Sequence, residues 1–332
     1  MMNCDVAVIG AGLSGLVAAK RLQDEGLRVA CFEKARGSGG RLSSKRLVTE
    51  QGLNISFDLG CSAVTATTDV FKKQLETWAE DHVVSPWLSV GEALPQYVGV
   101  PRNSSITRNL VDQLNVSFGV KVTRVSREGD RWVCYQNMGD ELVPVSSSKY
   151  LIISAPPEQT FDLLPIDNSL RSLVSKSRSL PQWVLMIATD TSRGDKFRSL
   201  SPMSFPSSVS GMSLESSKPN RETPEHINVW QVQASTDWSR QRTDWLPDAV
   251  AKSLIADLET TIGESVHVIA TYVHRWLYSV HREVNQASEQ GYLWGDDGIG
   301  LCGDYLAMGL SEFGLEAAYL SGSKLGEKLC SL

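Results

Sequence analysis

A chain of 332 residues, 42% hydrophobic and 21% charged, carries enough apolar material for one large domain or two interleaved ones, and its composition excludes a chain that stays disordered. A net charge of −6 without a long basic run argues against a nucleic-acid surface or an anionic-membrane anchor, and for a small-molecule ligand. The six cysteines (Cys4, Cys31, Cys61, Cys134, Cys302, Cys330) are scattered, without Cys-x-x-Cys or metal-ligand spacing, so they read as plain thiols and no metal site is expected.

The first residues run directly into Val6-Ala7-Val8-Ile9, leaving no room for a secretory leader. No later stretch stays apolar long enough to cross a bilayer, so the expectation is a cytoplasmic protein with no membrane span. A strand over Asp5 to Ile9, a glycine turn over Gly10 to Gly15, a helix through Leu16 and Leu22 to Gly26 and a strand over Arg28 to Glu33 make one βαβ unit. Val70, Phe71, Leu75 and Trp78 predict a core-facing helix, as do Leu246, Val250, Leu254, Leu258 and Ile262 ahead of Gly263. Strand-forming runs occupy 116–125, 132–135, 150–154, 184–189, 229–233 and 266–272. The Ser- and Pro-rich segment Arg198 to His226 fits either a mobile lid or an edge strand with long turns, and the edge strand is preferred. So much sheet exceeds one doubly wound domain, which predicts two lobes woven together by several chain crossings.

Gly10-x-Gly12-x-x-Gly15 follows a strand and opens a helix, with Glu33 ending the next strand. That is the context in which this pattern binds a dinucleotide. Gly10 permits the tight turn, Gly12 lets the backbone approach a pyrophosphate, Gly15 lets helix and sheet pack closely, and Leu13 and Ser14 open the helix whose N-terminus faces the phosphates. Glu33 suits a ribose diol. Directly after it, Lys34-Ala35-Arg36-Gly37-Ser38-Gly39-Gly40-Arg41 forms a second glycine-rich, basic turn that a plain NAD site does not require.

With that second turn the sequence resembles the flavin amine-oxidase superfamily, whose FAD site pairs the first fingerprint with a Gly-Gly-Arg turn. The resemblance implies non-covalent FAD held by Gly10, Gly12, Leu13, Ser14, Gly15, Glu33, Lys34, Gly40 and Arg41. It also implies adenine held through the backbone of Val122, the FAD chain touched by Gly303-Asp304, and a helix beginning at Gly314-Leu315 aimed at the flavin. Cys302 lacks the surroundings of a covalent flavin cysteine. The implied fold is α/β (α+β overall): a Rossmann-like FAD-binding domain of the glutathione-reductase/amine-oxidase type (1–65, 101–160 and 290–332), interleaved with a mixed-sheet substrate domain (66–100 and 161–289).

Further blocks, Arg36 to Arg46, Ser105-Ile106-Thr107-Arg108, Ser217-Lys218-Pro219 with Arg221, Trp238-Ser239-Arg240-Gln241 and His274-Arg275-Trp276-Leu277-Tyr278, resemble the renalase-like proteins, particularly bacterial ones. The resemblance implies an oxidase that takes hydride from 2- or 6-dihydro isomers of NAD(P)H onto flavin N5, returns NAD(P)⁺ and reduces O2 to H2O2. Such chemistry asks for a flat ring to be placed and water excluded more than for a base. Period-two spacing puts His274, Trp276 and Tyr278 on one strand face, where they are the candidate catalytic residues, with Trp230 and Trp238 as further candidates for ring-facing positions and Arg275 pointing away. The chain departs from the family at Cys61-Ser62-Ala63-Val64-Thr65, where amide and aromatic groups are usual, and at Gly211-Met212, where a Trp is usual. A small-amine or polyamine oxidase is the first alternative, a non-catalytic FAD-binding protein the second, and a plain NAD dehydrogenase the most distant.

Overall fold

The computed structural model describes residues 1–50, 52–87, 94–192, 194–282, 288–312 and 314–332. β1 (Met2–Ile9), α1 (Leu13–Asp24) and β2 (Val29–Glu33) form the expected βαβ unit. A hairpin of β3 (Ser44–Val48) and β4 (Asn54–Asp58) follows, then β5 (Val64–Thr65), α2 (Asp69–Glu80), β6 (Val84–Trp87), β7 (Gln96–Gly99) and α3 (Ser104–Val111). Next come β8 (Val116–Phe118), β9 (Val122–Glu128), β10 (Arg131–Met138), β11 (Glu141–Ile153), α4 (Pro157–Leu163) and α5 (Leu170–Val174). The second lobe is β12 (Arg178–Asp190), β13 (Val209–Leu214), β14 (Ile227–Ala234), α6 (Thr236–Arg240), α7 (Pro247–Ile262) and β15 (Val268–Arg282). The chain then returns to the first lobe with β16 (Leu293–Trp294), β17 (Ile299–Leu301), α8 (Asp304–Ala307) and α9 (Gly314–Cys330).

β17, β11, β1, β2 and β8 pair in parallel, with β16 at one edge and the antiparallel β9–β10 pair joined to the first half of β11. β1 is apolar from Val6 to Ile9 because both its faces are covered. Val6 and Val8 pack with Ala18 and Leu22 of α1 and Leu325 and Leu329 of α9, while Ala7 and Ile9 pack with Trp132 of β10 and with Leu164 and Leu170 around α4 and α5. In the second lobe the antiparallel sheet β13-β14-β12-β15 buries Trp183, Leu185, Ile187 and Val232 against Val250, Leu254 and Leu258 of α7. Its other face lays Val184, Met186 and Val229 on Ile55, Phe57 and Leu59 at the hairpin β3–β4. That hairpin is where the two lobes meet.

The 116–125 run divides into β8 and β9 around Gly119, which turns at φ 73°. Val70 is 59% exposed, so the buried stripe of α2 is Phe71, Leu75 and Trp78 alone. Arg198 to His226 holds the edge strand β13 among short 3-10 turns, and Gly263 closes α7 in the left-handed region. Two segments assigned by sequence to the substrate lobe pack on the first. Phe71 lies 5.0 Å from Tyr319 of α9, and Leu164, Leu170 and Val174 complete the core beneath β1. Residues 88–93 of the 66–100 segment and 283–287 of the 161–289 segment lie outside the described residues.

Candidate cofactor and substrate site

Two glycine turns face each other at the head of α1. A Cβ on Gly10 would sit 2.6 Å from Ser154 O and one on Gly15 2.4 Å from Gly10 O, so both glycines are there for packing. A Cβ on Gly12 would meet nothing within 4 Å, leaving the first amides of α1, which no helical carbonyl can satisfy, open to a ligand. Gly40 comes from the second turn to within 3.9 Å, measured from its would-be Cβ to Gly12 Cα, and Gly39 N–H donates to Ala11 O at 3.0 Å. Ser14, beside Gly15, shares a hydrogen bond with Ser154 at 2.8 Å.

Glu33 ends β2 with Oε2 accepting from Ala11 N–H (2.9 Å) and Oε1 from Ala35 N–H (2.8 Å). The carboxylate thereby ties both turns to the strand. Gly119 N–H donates to Ala35 O and Val120 N–H to Glu33 O, so the segment entering β9 at Val122 runs beside Glu33. The Val122 side chain is buried in the core under β1. Lys34 turns outward to Gln159 (2.9 Å).

Arg41 reaches the far end of the chain. Its Nη1 and Nη2 donate to Asp304 at 2.7 and 2.6 Å, and Nη1 donates also to Ser279 O at 2.7 Å. Burial alone would raise the Asp304 carboxyl, but the Arg41 charge and then His281 outweigh it and hold the group well below the usual carboxylate range. Gly303 introduces Asp304, its N–H held by Ser321 Oγ (2.9 Å). At the start of α9, a Cβ on Gly314 would lie 3.5 Å from Asp304 Oδ2, and Leu315 packs with the α1–α2 core. Gly12, Gly40, Arg41, Asp304 and Gly314 thus converge on one cradle, and these residues fit a dinucleotide pyrophosphate and its sugar chain. Buried Cys302 has its thiol pushed up to about 12 by burial, a neutral group behind the cradle.

The aromatic face stands one segment away. Trp276 Nε1 donates to Leu59 O (2.8 Å), Cys61 N–H donates to Arg41 O (2.9 Å), and Gln231 and Gln233 donate to Asp58 O and Gly60 O at 2.6 and 2.9 Å. Segment 58–61 is therefore strung between the cradle and the β12–β15 sheet. His274 meets Trp276 edge to face at 4.4 Å, and its half-buried ring is shifted down by burial, favouring the neutral imidazole. Tyr278 is half-buried, but β15 gains two residues there, since Trp276 lies opposite Gln182 and Val280 opposite Leu180. Strand alternation therefore does not place its ring with the other two. Arg275 points the other way, onto Trp183. The expectation for Trp230 and Trp238 is corrected. Trp230 packs at 6.0 Å on Phe197 and Trp238 at 6.0 Å on Trp245, both on the α7 side of the sheet.

Sequence reading missed Ser279 and His281, which the widened part of β15 brings to Arg41 and Asp304. It also left the Ser-Lys-Pro block without a role. Lys218 and Arg221, both with fully buried side chains, pair with Asp58, and Lys218 pairs with Glu215 as well. Asn103 N–H and Ser44 Oγ donate to the same Asp58. This buried quartet braces segment 58–61 from behind. Cys61 is half-buried, its Sγ donating to Ala63 O at 2.9 Å and its thiol pushed up to about 11 by burial, so a neutral thiol stands at this position. Among the described residues no group of three or more His, Cys, Asp or Glu is placed to hold a metal, and no helix is long and apolar enough to cross a membrane.

Residues 8–77 match the NAD(P)-binding Rossmann-like domain family. The chain is 31% identical over 143 residues to a 4-hydroxybenzoate brominase (decarboxylating) of Pseudoalteromonas luteoviolacea (strain 2ta16), covering 42% of this chain and 24% of that one. It is 29% identical over 127 residues to the zeta-carotene-forming phytoene desaturase of Myxococcus xanthus, covering 38% and 21%. The chain thus spans about a quarter of the length of these relatives. Among solved structures it is similar to a protein of Exiguobacterium sp. 255-15 provisionally named a protoporphyrinogen oxidase (TM-score 0.74, 11% identity, 99% of both chains). It is similar also to a putrescine oxidase bound to putrescine (TM-score 0.62, 11% identity, 100% of both chains). The likeness to these structures is one of fold: a mixed α/β protein built on a Rossmann-like dinucleotide-binding domain, with the same overall architecture as these two proteins.

Proposed function

We propose that the protein is an FAD-dependent oxidase of the renalase type, oxidising 2- or 6-dihydro isomers of NAD(P)H to NAD(P)⁺ with O2 reduced to H2O2. The observation that carries the reading is the convergence of both glycine turns, Arg41 and Asp304 on one cradle, joined through segment 58–61 to the sheet face of Trp276. Non-covalently bound FAD supplies the two-electron acceptor. The open amides of α1 and the two turns hold its pyrophosphate, and Glu33 takes the ribose diol. The side chains of Gln182, Val184, Met186, Tyr272, His274 and Trp276 share one face of β12 and β15, and none of the six is a carboxylate or an amine. A substrate that becomes aromatic on giving up hydride needs no base, so such a wall has only to place a flat ring and keep water out. The likeness in fold to a putrescine oxidase keeps a small-amine oxidase as the second reading. It is weaker because His274 and Trp276 pack on one another and do not stand apart as the walls of an amine cage.

Anaerobic rapid mixing of the yellow protein with each dihydro isomer, and in parallel with a panel of amines, separates these readings. Loss of the visible flavin band with a dihydro isomer, with NAD(P)⁺ formed, is the expected result. Bleaching by amines alone would transfer the assignment to the second reading, and bleaching by neither would leave a binding protein.

A further inference from the structure

His281 has no part in the function so far, although it is 8% exposed and touches the cradle. Its Nε2 lies 3.2 Å from Asp304 Oδ1 and 3.5 Å from Arg41 Nη1. Its Nδ1 lies 3.2 Å from Ser179 Oγ, which donates to Glu158 Oε2 at 2.9 Å. Glu158 lines a surface cleft of about 210 Å³ together with Phe161, Asp162, Ser175 and Arg178. A continuous chain of exchangeable groups therefore runs from solvent through Glu158 of α4 and Ser179 of β12 to His281, and ends on the ion pair that faces the dinucleotide. The groups facing the imidazole are Arg41, Asp304, the Tyr305 ring at 5.6 Å, Ser179 and, behind it, Glu158.

Arg41 and Asp304 together carry no net charge, and the guanidinium is engaged by Asp304 and Ser279 O. A proton on His281 changes both facts. The cradle gains one positive charge, and Asp304 gains a second cationic partner on the oxygen that Arg41 Nη2 now uses. Two cations 3.5 Å apart repel, which favours turning Arg41 toward any anion offered on its open side. We infer that His281 is a positioning residue that links proton uptake to dinucleotide binding, its protonated form holding Asp304 and releasing the charge of Arg41 to the pyrophosphate. This rests on the cofactor reading above and adds a proton-linked control to it. By linkage, binding is tighter where His281 carries a proton, so the dissociation constant rises with pH as that proton leaves.

The test is the dissociation constant of FAD for the full chain stripped of flavin, followed by quenching of FAD fluorescence from about pH 6 to 8. Isothermal calorimetry in two buffers of different ionisation heat counts the protons taken up. The dissociation constant is expected to rise about tenfold over this range, with net proton uptake near neutrality. In His281→Gln the profile is expected to be flat and the uptake lost. Ser179→Ala, which leaves Arg41, Asp304 and His281 in place, should retain the equilibrium slope, showing that the imidazole and not its feed carries the effect. A flat wild-type profile without proton uptake, or an unchanged slope in His281→Gln, overturns the inference while leaving FAD binding intact. Failure to bind FAD at any pH overturns the cofactor reading and this inference with it.

Discussion

Replacing Lys218 by Met tests the bracing of segment 58–61. Lys218, Arg221, Asp58 and Glu215 balance two positive against two negative charges, with side chains at most 1% exposed. Removing the ammonium leaves one guanidinium against two buried carboxylates, and breaking a buried pair in this way costs about 3–5 kcal/mol. For a chain of this size that lowers the melting temperature by on the order of 4–7 °C. The pH dependence gives a second signature. Burial already pushes Glu215 up, and losing Lys218 pushes it further. A carboxyl raised in the folded state destabilises as pH rises through its folded value, and that penalty disappears below its unfolded value. The variant should therefore recover stability between neutral pH and about pH 4.5. The Lys218→Met, Glu215→Gln double variant, which removes one charge of each sign, should recover a large part of the loss at neutral pH. Denaturant unfolding followed by circular dichroism, in one flavin-loading state, reads all three. A loss in Lys218→Met below about 1 kcal/mol, or one that does not shrink in acid, would refute the charge accounting.

Gly12→Val should fold with little change in stability, since its Cβ meets no protein atom, yet purify without flavin absorbance. Gly15→Ala should lose stability instead, because its Cβ would sit 2.4 Å from Gly10 O. Equal melting temperatures in the two flavin-free variants would contradict this. Trp276→Phe removes the bond to Leu59 O, worth about 1 kcal/mol. It should slow flavin reduction in single-turnover mixing by up to about tenfold while FAD stays bound, and an unchanged rate would remove Trp276 from the site. With Cys330 replaced by Ser, Cys61 should react with iodoacetamide at a rate that climbs with pH toward its value of about 11. A plateau near pH 8 would show an activated thiolate.

The βαβ unit and its glycines were legible because each step is local: an apolar run, a turn that only glycine permits, a helix and an acid at fixed spacing. The inward face of a strand is set differently. Trp230 and Trp276 look alike in sequence, but β14 and β15 are phased by their pairing with β12, which turns Trp230 to α7 and Trp276 to the hairpin. Tyr278, Ser279 and His281 follow a change of register that exists only in the β12–β15 pair. The role of Lys218 was hidden for a similar reason, since its partner Asp58 lies 160 residues away. Val70 misled because helical spacing tolerates an apolar residue one position off the stripe.

The partnership of Arg41 with Asp304 spans 263 residues, and it sets the order in which the protein can become functional during synthesis. A nascent chain that has emerged through residue 77 already displays the whole first fingerprint and the Gly-Gly-Arg turn. It nevertheless lacks the carboxylate that positions the guanidinium, strand β11 beside β1 with β17 beyond it, and α9, which packs on α1. The cradle cannot be completed until Asp304 and α9 have been made. Until then β1 and α1 expose apolar faces that belong to residues not yet made, so the interval before α9 arrives is when this chain most needs protection from aggregation.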